Sequence, residues 1–237
     1  MGLFGRLGKK ALPAASPASL DYKRAWNDAA RADAHDAILT GSTAESFERS
    51  GEADAAEIRR YLPPDAAVLN IGCGVGRVEK YLAPHVREMC AVDVSGEMIA
   101  RARERLAGLA SVRLREIGND EFLRSFEANR FDLVFSYLVL QHLAREDAFA
   151  YLRDAFRVLK PGGMLLVQFP NFLSPEYTRA FLVGAAVTQR SPGRVRFYTE
   201  PEVRHIVEVA GFTVEELRLS SGERGDTEIY VRARKPG

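Results

Sequence analysis

Apolar residues along this chain change their period several times, and each change marks an element. Between residues 20 and 62 they recur at helical spacing, first Tyr22, Trp26, Ala29 and Ala30, then Phe47, Ile58, Tyr61 and Leu62. Pro63-Pro64 ends that stretch, because proline donates no backbone N–H and disfavours helical angles in the residue before it. Short apolar runs follow at Val68–Ile71, Met89–Asp93, Val112–Ile117, Phe131–Ser136 and Met164–Phe169. Between them the pattern predicts helix through Tyr81-Leu82, over 97–109, around 121–126 and up to Leu159. Lys160-Pro-Gly-Gly163 reads as a turn, with proline stopping the helix and glycine permitting positive φ. Strands that alternate with helices imply a parallel sheet covered on both faces.

After residue 170 the rhythm breaks. A helix is predicted over 176–189, followed by Arg190-Ser-Pro-Gly-Arg194 and a second helix over 202–210 that stops at Gly211-Phe212. The last two strands, Thr213–Leu219 and Glu228–Arg234, are separated by so short a loop that they read as an antiparallel pair at the sheet edge. The expected organisation is a disordered tail (1–19) and one domain (20–237). Within the domain lie a helical lid (20–62), a core (63–169), an insertion (170–197) and a C-terminal helix with hairpin (198–237).

The 237 residues suffice for one full core. Lys and Arg number 33 against 32 Asp and Glu, so no global field favours a polyanion and nucleic acid is a poor partner. The two cysteines, Cys73 and Cys90, form neither a CxxC pair nor a metal cluster, which fits a reducing, cytoplasmic setting. No apolar run approaches the roughly 18 residues of a membrane span, so no stable insertion is expected. Leu3, Phe4 and Leu7 could touch a membrane surface, although the Ala/Pro/Ser composition that follows reads as a tail.

Chemistry is concentrated after the first strand. Gly72-Cys-Gly-Val-Gly76 leaves a strand and opens a helix, a geometry that brings backbone N–H groups close to a ligand. A dinucleotide fingerprint, G-x-G-x-x-G, would require glycine at position 77, where this chain has Arg77. Asp93 ends the second strand about twenty residues on, where a carboxylate can accept hydrogen bonds from ribose hydroxyls. Ser95 is the better N-cap of the helix that follows. Loop and acid together indicate an adenosine-type cofactor at the carboxyl ends of the strands.

Five segments in order resemble the class I S-adenosylmethionine-dependent methyltransferases over about residues 60–235. They are Val68-Leu-Asn-Ile-Gly-Cys-Gly-Val-Gly-Arg77, Val92-Asp93-Val-Ser-Gly-Glu-Met98, Phe131-Asp-Leu-Val-Phe-Ser136, Leu140-Gln-His-Leu143 and Arg157-Val-Leu-Lys-Pro-Gly-Gly163. The resemblance implies a doubly wound, Rossmann-like seven-stranded sheet of order 3-2-1-4-5-7-6, with the last strand antiparallel. It implies that Gly72, Cys73, Gly74 and Gly76 line the methionine and ribose of S-adenosylmethionine, that Asp93 with Val94 holds the ribose, and that Met98 covers adenine. Asn119 or Asp120 would reach the adenine amino group, and the backbone at Ser136 would face the methionine amino group. Family members often read Gly-Asp-Ala where this chain has Gly118-Asn119-Asp120.

Methyl transfer to an O, N or C atom of a small molecule is an in-line displacement that depends chiefly on proximity. A general base helps when the acceptor arrives protonated, and His142, just past the fourth strand, is the candidate; its alternative is packing at the next helix. Trp26, His35, Phe169, Asn171 and Tyr198 are candidate acceptor-side residues, and Tyr22 joins Trp26 as a candidate lid. Arg190, Arg194 and Arg196 form a basic run that reads either as a solvated loop or as an anion contact. No metal site is expected. The rival readings are an NAD-dependent oxidoreductase, disfavoured by Arg77, and a non-catalytic cofactor-binding module serving a partner protein.

Overall fold

The structure is a computed structural model and describes residues 21–185, 194–221 and 225–237. The readings of the tail, of Leu3, Phe4 and Leu7, and of Arg190 lie outside the described residues. The predicted N-terminal helical region is two helices, α1 (Tyr22–Ile38) and α2 (Ala44–Arg59). Thr43 separates them as the N-cap of a reciprocal capping box with Ser46. Asp33 breaks α1 locally with extended angles, and its carboxylate then accepts the N–H groups of His35 and Asp36, restarting the helix as an N-cap would.

The core alternates as the hydrophobic pattern predicts. In order come β1 (Ala67–Ile71), α3 (Glu79–Leu82), β2 (Glu88–Asp93), α4 (Gly96–Arg105), β3 (Val112–Glu116), β4 (Phe131–Ser136), α5 (Arg145–Val158) and β5 (Leu159–Pro170). Then follow α6 (Pro175–Ala185), α7 (Glu200–Val209), β6 (Thr213–Leu219) and β7 (Glu228–Arg234). The seven strands form one sheet ordered β3-β2-β1-β4-β5-β7-β6, with β7 antiparallel to both neighbours. β1 is buried along its whole length because helices cover both faces of its sheet.

Alternation along β1 divides the core in two. Leu69 and Ile71 face the layer built by α5 and α7, whereas Val68 packs with Val78, Leu82 and the α2 residues Ala55 and Ile58. Asn70, two residues after Val68, points to that second layer. α2 comes close enough to pack there because Gly51 has no side chain: a Cβ at that position would lie 2.4 Å from the Arg77 carbonyl oxygen.

Several predicted elements take a different form. The helix predicted around 121–126 is a series of turns: its backbone bonds reach three residues back, Arg124 to Glu121 and Phe126 to Leu123, and the Arg157 guanidinium donates to the Leu123 and Phe126 carbonyls. The helix predicted over 97–109 ends at Arg105. Lys160–Gly163 is absorbed into β5 as an irregularity: Phe131 pairs with Leu159 and Leu133 with Met164, so the extra residues bulge out, with Gly162 at φ +76°.

Candidate active site at the carboxyl ends of the strands

The carboxyl ends of β1, β2 and β4 open into a cavity, the place where open α/β sheets bind their ligands. Its floor is the loop after β1. Gly72, Gly74 and Gly76 all have positive φ, and each makes room for a different neighbour. A Cβ at Gly72 would lie 2.3 Å from the Val139 side chain, one at Gly74 would lie 2.6 Å from Ile38 Cδ1 of α1, and one at Gly76 would lie 2.7 Å from Leu106 Cδ1. The glycine spacing therefore serves the cavity wall, the lid and the end of α4, contacts that a ligand-centred reading of the sequence does not foresee.

Asp93 joins the floor to the side wall. One carboxylate oxygen accepts the Gly74 N–H at 2.8 Å and the other accepts the Ser95 N–H at 2.9 Å. Burial pushes this carboxyl upward in pKa, and the backbone donors pull it back. Ser95 caps α4 by accepting from the Met98 N–H, as its sequence position predicts. Its hydroxyl also donates to Asn27 of α1, which docks the lid on this turn.

Around Asp93 the wall is apolar, formed by Val94, Met98 and Ile117. On the opposite side, toward β4, stand Asn70, Glu79, Phe135 and the segment Tyr137–Val139. The roof is α1, through Tyr22, Trp26, Ala37 and Ile38. Tyr22 is fixed from both sides: its hydroxyl donates to Asp147 at 2.8 Å and accepts the N–H of Ala144, the N-cap residue of α5, at 2.8 Å.

Of the residues expected at the cofactor, Gly72, Cys73, Gly74, Asp93, Val94 and Met98 line this cavity. Gly76 shapes the floor from behind. The Ser136 hydroxyl is turned away and donates to the Ile71 carbonyl, tying β4 to β1. Asn119 is engaged by the lid, accepting from the Lys23 N–H and donating to Asp21, while Asp120 is exposed.

The acceptor-side set needs more correction. Trp26 lines the cavity, but His35 is exposed and stacks on Phe47, 4.5 Å between centroids. Phe169 and Tyr198 are buried against each other, and Asn171 spends its side chain on the Asp226 carbonyl and the Leu173 N–H. Those three complete the packing at the end of β5 and line no part of this cavity. Among the described residues of the 170–197 insertion none lines it either, so the roof they form comes from α1. Arg196 caps the carbonyls of His142 and Arg194, a structural use of the basic run. His142 meets the edge of Trp26 at 4.9 Å and is not itself part of the lining.

Asn70, Glu79, Tyr137 and Tyr151 line the cavity without having been singled out in the sequence. Asn70 did carry a signal, since a polar residue inside a buried apolar strand requires a partner. Glu79 in a helical first turn reads as an ordinary dipole complement, so nothing distinguished it. Its partner is Asn70, whose amide donates to it at 2.5 Å, and burial pushes its carboxyl up to about 7.

Comparison with known proteins agrees with this geometry. Residues 68–163 match the family model described as a methyltransferase domain. Phosphoethanolamine N-methyltransferase 1 of Arabidopsis thaliana is 34% identical over 107 residues, 45% of this chain and 21% of that protein. The 2-methyl-6-phytyl-1,4-hydroquinone methyltransferase of Synechocystis is 32% identical over 107 residues, 45% of this chain and 32% of that one. The chain thus spans about a fifth to a third of the length of these relatives. The crystal structure of Synechocystis magnesium protoporphyrin IX methyltransferase, with S-adenosylhomocysteine bound, superposes with a TM-score of 0.68 at 19% identity, covering 90% of this chain and 97% of that one. The motifs, the strand order and these matches converge: residues 68–163 match a methyltransferase domain, and the chain has the fold of that solved methyltransferase.

Proposed function

We propose that this chain is an enzyme that moves the methyl group of S-adenosylmethionine to an oxygen, nitrogen or carbon of a small molecule by in-line displacement. The observation that carries the reading is the Asp93–Gly74 hydrogen bond, which sets a carboxylate and a glycine floor at the mouth of one cavity. The residues suit the cofactor chemically. Asp93 can accept from a ribose diol, Val94, Met98 and Ile117 offer an apolar wall to a purine, and buried polar oxygens of Asn70 and Glu79 stand without partners on the opposite side.

When bound, the cofactor supplies an electrophilic methyl on sulfur with a good leaving group, so the protein's task is alignment and exclusion of water. Tyr22, Trp26 and Ile38 roof the cavity and keep bulk water out. The acceptor's entrance is assigned to the Tyr137–Val139 side. There Leu138 is held at φ +63°, its N–H donating to the Gln168 amide oxygen at 2.7 Å. His142 is assigned to orienting Trp26 and not to proton transfer, because a base must come within about 3 Å of the proton it removes.

An oxidoreductase reading is disfavoured by Arg77, which is buried and paired with Asp54 at 2.6 Å where a dinucleotide fingerprint needs glycine. The acceptors in the relatives' names, phosphoethanolamine and a phytyl hydroquinone, differ so much that the substrate class is kept at a small molecule. The test is release of S-adenosylhomocysteine across a panel of quinols, phenols, amines and sugar nucleotides, beside a fluorescence titration with NADH. Turnover with a panel member supports the reading; NADH binding without S-adenosylmethionine binding replaces it.

A further inference from the structure

Among its described residues the 170–197 insertion lines no part of the cavity, yet one of its side chains is tied to the cavity's mouth. Tyr177 of α6 donates its hydroxyl to one carboxylate oxygen of Glu228, the first residue of β7. The other oxygen accepts from the side-chain N–H of Gln168, a buried residue of β5. Pro170 is the register partner of Glu228, so Gln168, two residues earlier, is its diagonal neighbour on one face of the sheet. The Gln168 amide oxygen then accepts the Leu138 N–H at 2.7 Å.

The direction of each bond is fixed by the next. A carboxylate only accepts, so Glu228 compels Gln168 to turn its amide nitrogen toward β7 and its oxygen toward the loop after β4. An amide free to flip would present that nitrogen to the Leu138 N–H, setting two donors against each other. Leu138 needs the acceptor, because its φ of +63° is a left-handed conformation that leucine rarely adopts and that its surroundings must hold. Leu138 lines the cavity, and Val139 beside it occupies the space that Gly72 leaves free.

We propose that Glu228 is a positioning residue for the methyl acceptor: it orients Gln168, Gln168 holds Leu138 at the mouth of the cavity, and Tyr177 makes α6 part of the same clamp. The inference rests on the proposed function for what enters beside Leu138, and it gives the insertion a role at a distance from the cavity. The clamp's chemistry admits an exchange of partners. Gln168→Glu alone sets two carboxylates against each other. Combined with Glu228→Gln it restores every bond, since the carboxylate at 168 accepts from Leu138 and from the amide at 228, whose oxygen accepts from Tyr177.

The experiment compares wild type with Gln168→Glu, with the double variant Gln168→Glu/Glu228→Gln, and with Tyr177→Phe. Amide exchange at Leu138 is read by NMR in the free protein, with Leu69 of β1 as the control for global unfolding. Calorimetry reads S-adenosylhomocysteine affinity, and steady-state kinetics use the panel acceptor that wild type methylates. Gln168→Glu should speed exchange at Leu138 by about tenfold, the loss of one hydrogen bond, and leave Leu69 unchanged. It should lower kcat/KM for the acceptor by about tenfold or more and leave S-adenosylhomocysteine affinity unchanged. Tyr177→Phe should move both quantities the same way by less. The double variant should return both toward wild type, a recovery that a general loss of stability would not give. Should Gln168→Glu fail to fold, the double variant and Tyr177→Phe decide. Leu138 exchange unmoved by Tyr177→Phe, faster exchange with kcat/KM unchanged, or a double variant no better than Gln168→Glu overturns the inference. Wild type that methylates no panel acceptor counts against the proposed function; unmoved Leu138 exchange counts against this inference alone.

Discussion

Asp93 accepts the backbone N–H of Gly74 at 2.8 Å, which makes the acid of the second strand and the loop of the first a single hydrogen-bonded unit. Substitution at Asp93 therefore removes the proposed ribose contact and loosens the floor together. Asp93→Ala is expected to weaken S-adenosylmethionine binding by about 1.5–3 kcal/mol. It should also speed amide exchange at Gly74 and Ser95 in the free protein. Calorimetry and hydrogen exchange check the two effects, and unchanged affinity in a folded variant removes Asp93 from the site.

Gly74 and Ile38 form a second coupled pair. A Cβ at Gly74 falls 2.6 Å from Ile38 Cδ1, and its φ of +53° is strained for other residues. Gly74→Ala should cost about 1 kcal/mol or more and accelerate exchange across α1. Ile38→Val removes the clashing methyl, so the double variant should recover at least about 0.5 kcal/mol relative to the sum of the single changes. Strict additivity in denaturant unfolding would show that the lid does not rest on Gly74.

Tyr22 fixes the roof to α5. Tyr22→Phe deletes the acceptor for the Ala144 N–H and the donor to Asp147, and a loss of about 1–3 kcal/mol is expected. Burial holds the Tyr22 hydroxyl at about 12, so it remains a donor throughout the neutral range. Thermal unfolding of the free protein measures the loss, and cofactor affinity should fall with it because the roof is less often closed.

Glu79 predicts a pH dependence for the free protein. Its carboxyl rises from an ordinary 4.5 to about 7 on folding, so the folded state holds the proton more tightly than the unfolded chain. The sign is then fixed: this group's contribution is full below about 4.5, is lost as pH rises to about 7, and is flat above. The span is of order 3 kcal/mol. Denaturant unfolding of Glu79→Gln should lack that slope and exceed wild type at pH 8, whereas a parallel loss in both proteins would mean that another group is responsible.

His142 touches Trp26 and not the cavity. His142→Ala should therefore retain more than about a tenth of wild-type kcat, whereas a general base would be worth 10²–10⁴-fold. Trp26→Ala should cost more in KM than His142→Ala does. A rate that rises through the imidazole pKa in wild type but not in the variant would restore the base.

The sheet was legible in the sequence because buried parallel strands are short apolar runs and their connecting helices keep a 3.6 period. Val68–Ile71 and Phe131–Ser136 could hardly read otherwise. The glycines and Asp93 were legible because their chemistry depends on backbone position, which spacing records. Phe169, Asn171 and Tyr198 were misread because a strand end announces a site and a packing corner in the same way. Asn70 and Glu79 lie nine positions apart, and only the fold brings them within 2.5 Å. The turns at 121–126 are met by Arg157, about thirty residues distant, which no local pattern contains.

The pair of buried Arg77 with half-buried Asp54 also bears on how this scaffold can change over time. Placing glycine at position 77, the first step toward a dinucleotide fingerprint, would remove the guanidinium that binds Asp54 and Ser50 and loosen α2 on the loop it packs on through Gly51. Leaving a buried polar contact unmade costs about 1–3 kcal/mol, a sizeable part of a domain's whole stability. A lineage could cross that gap only by altering both residues nearly together. The ion pair acts as a ratchet that makes a change of cofactor choice a two-step passage through a weakened intermediate.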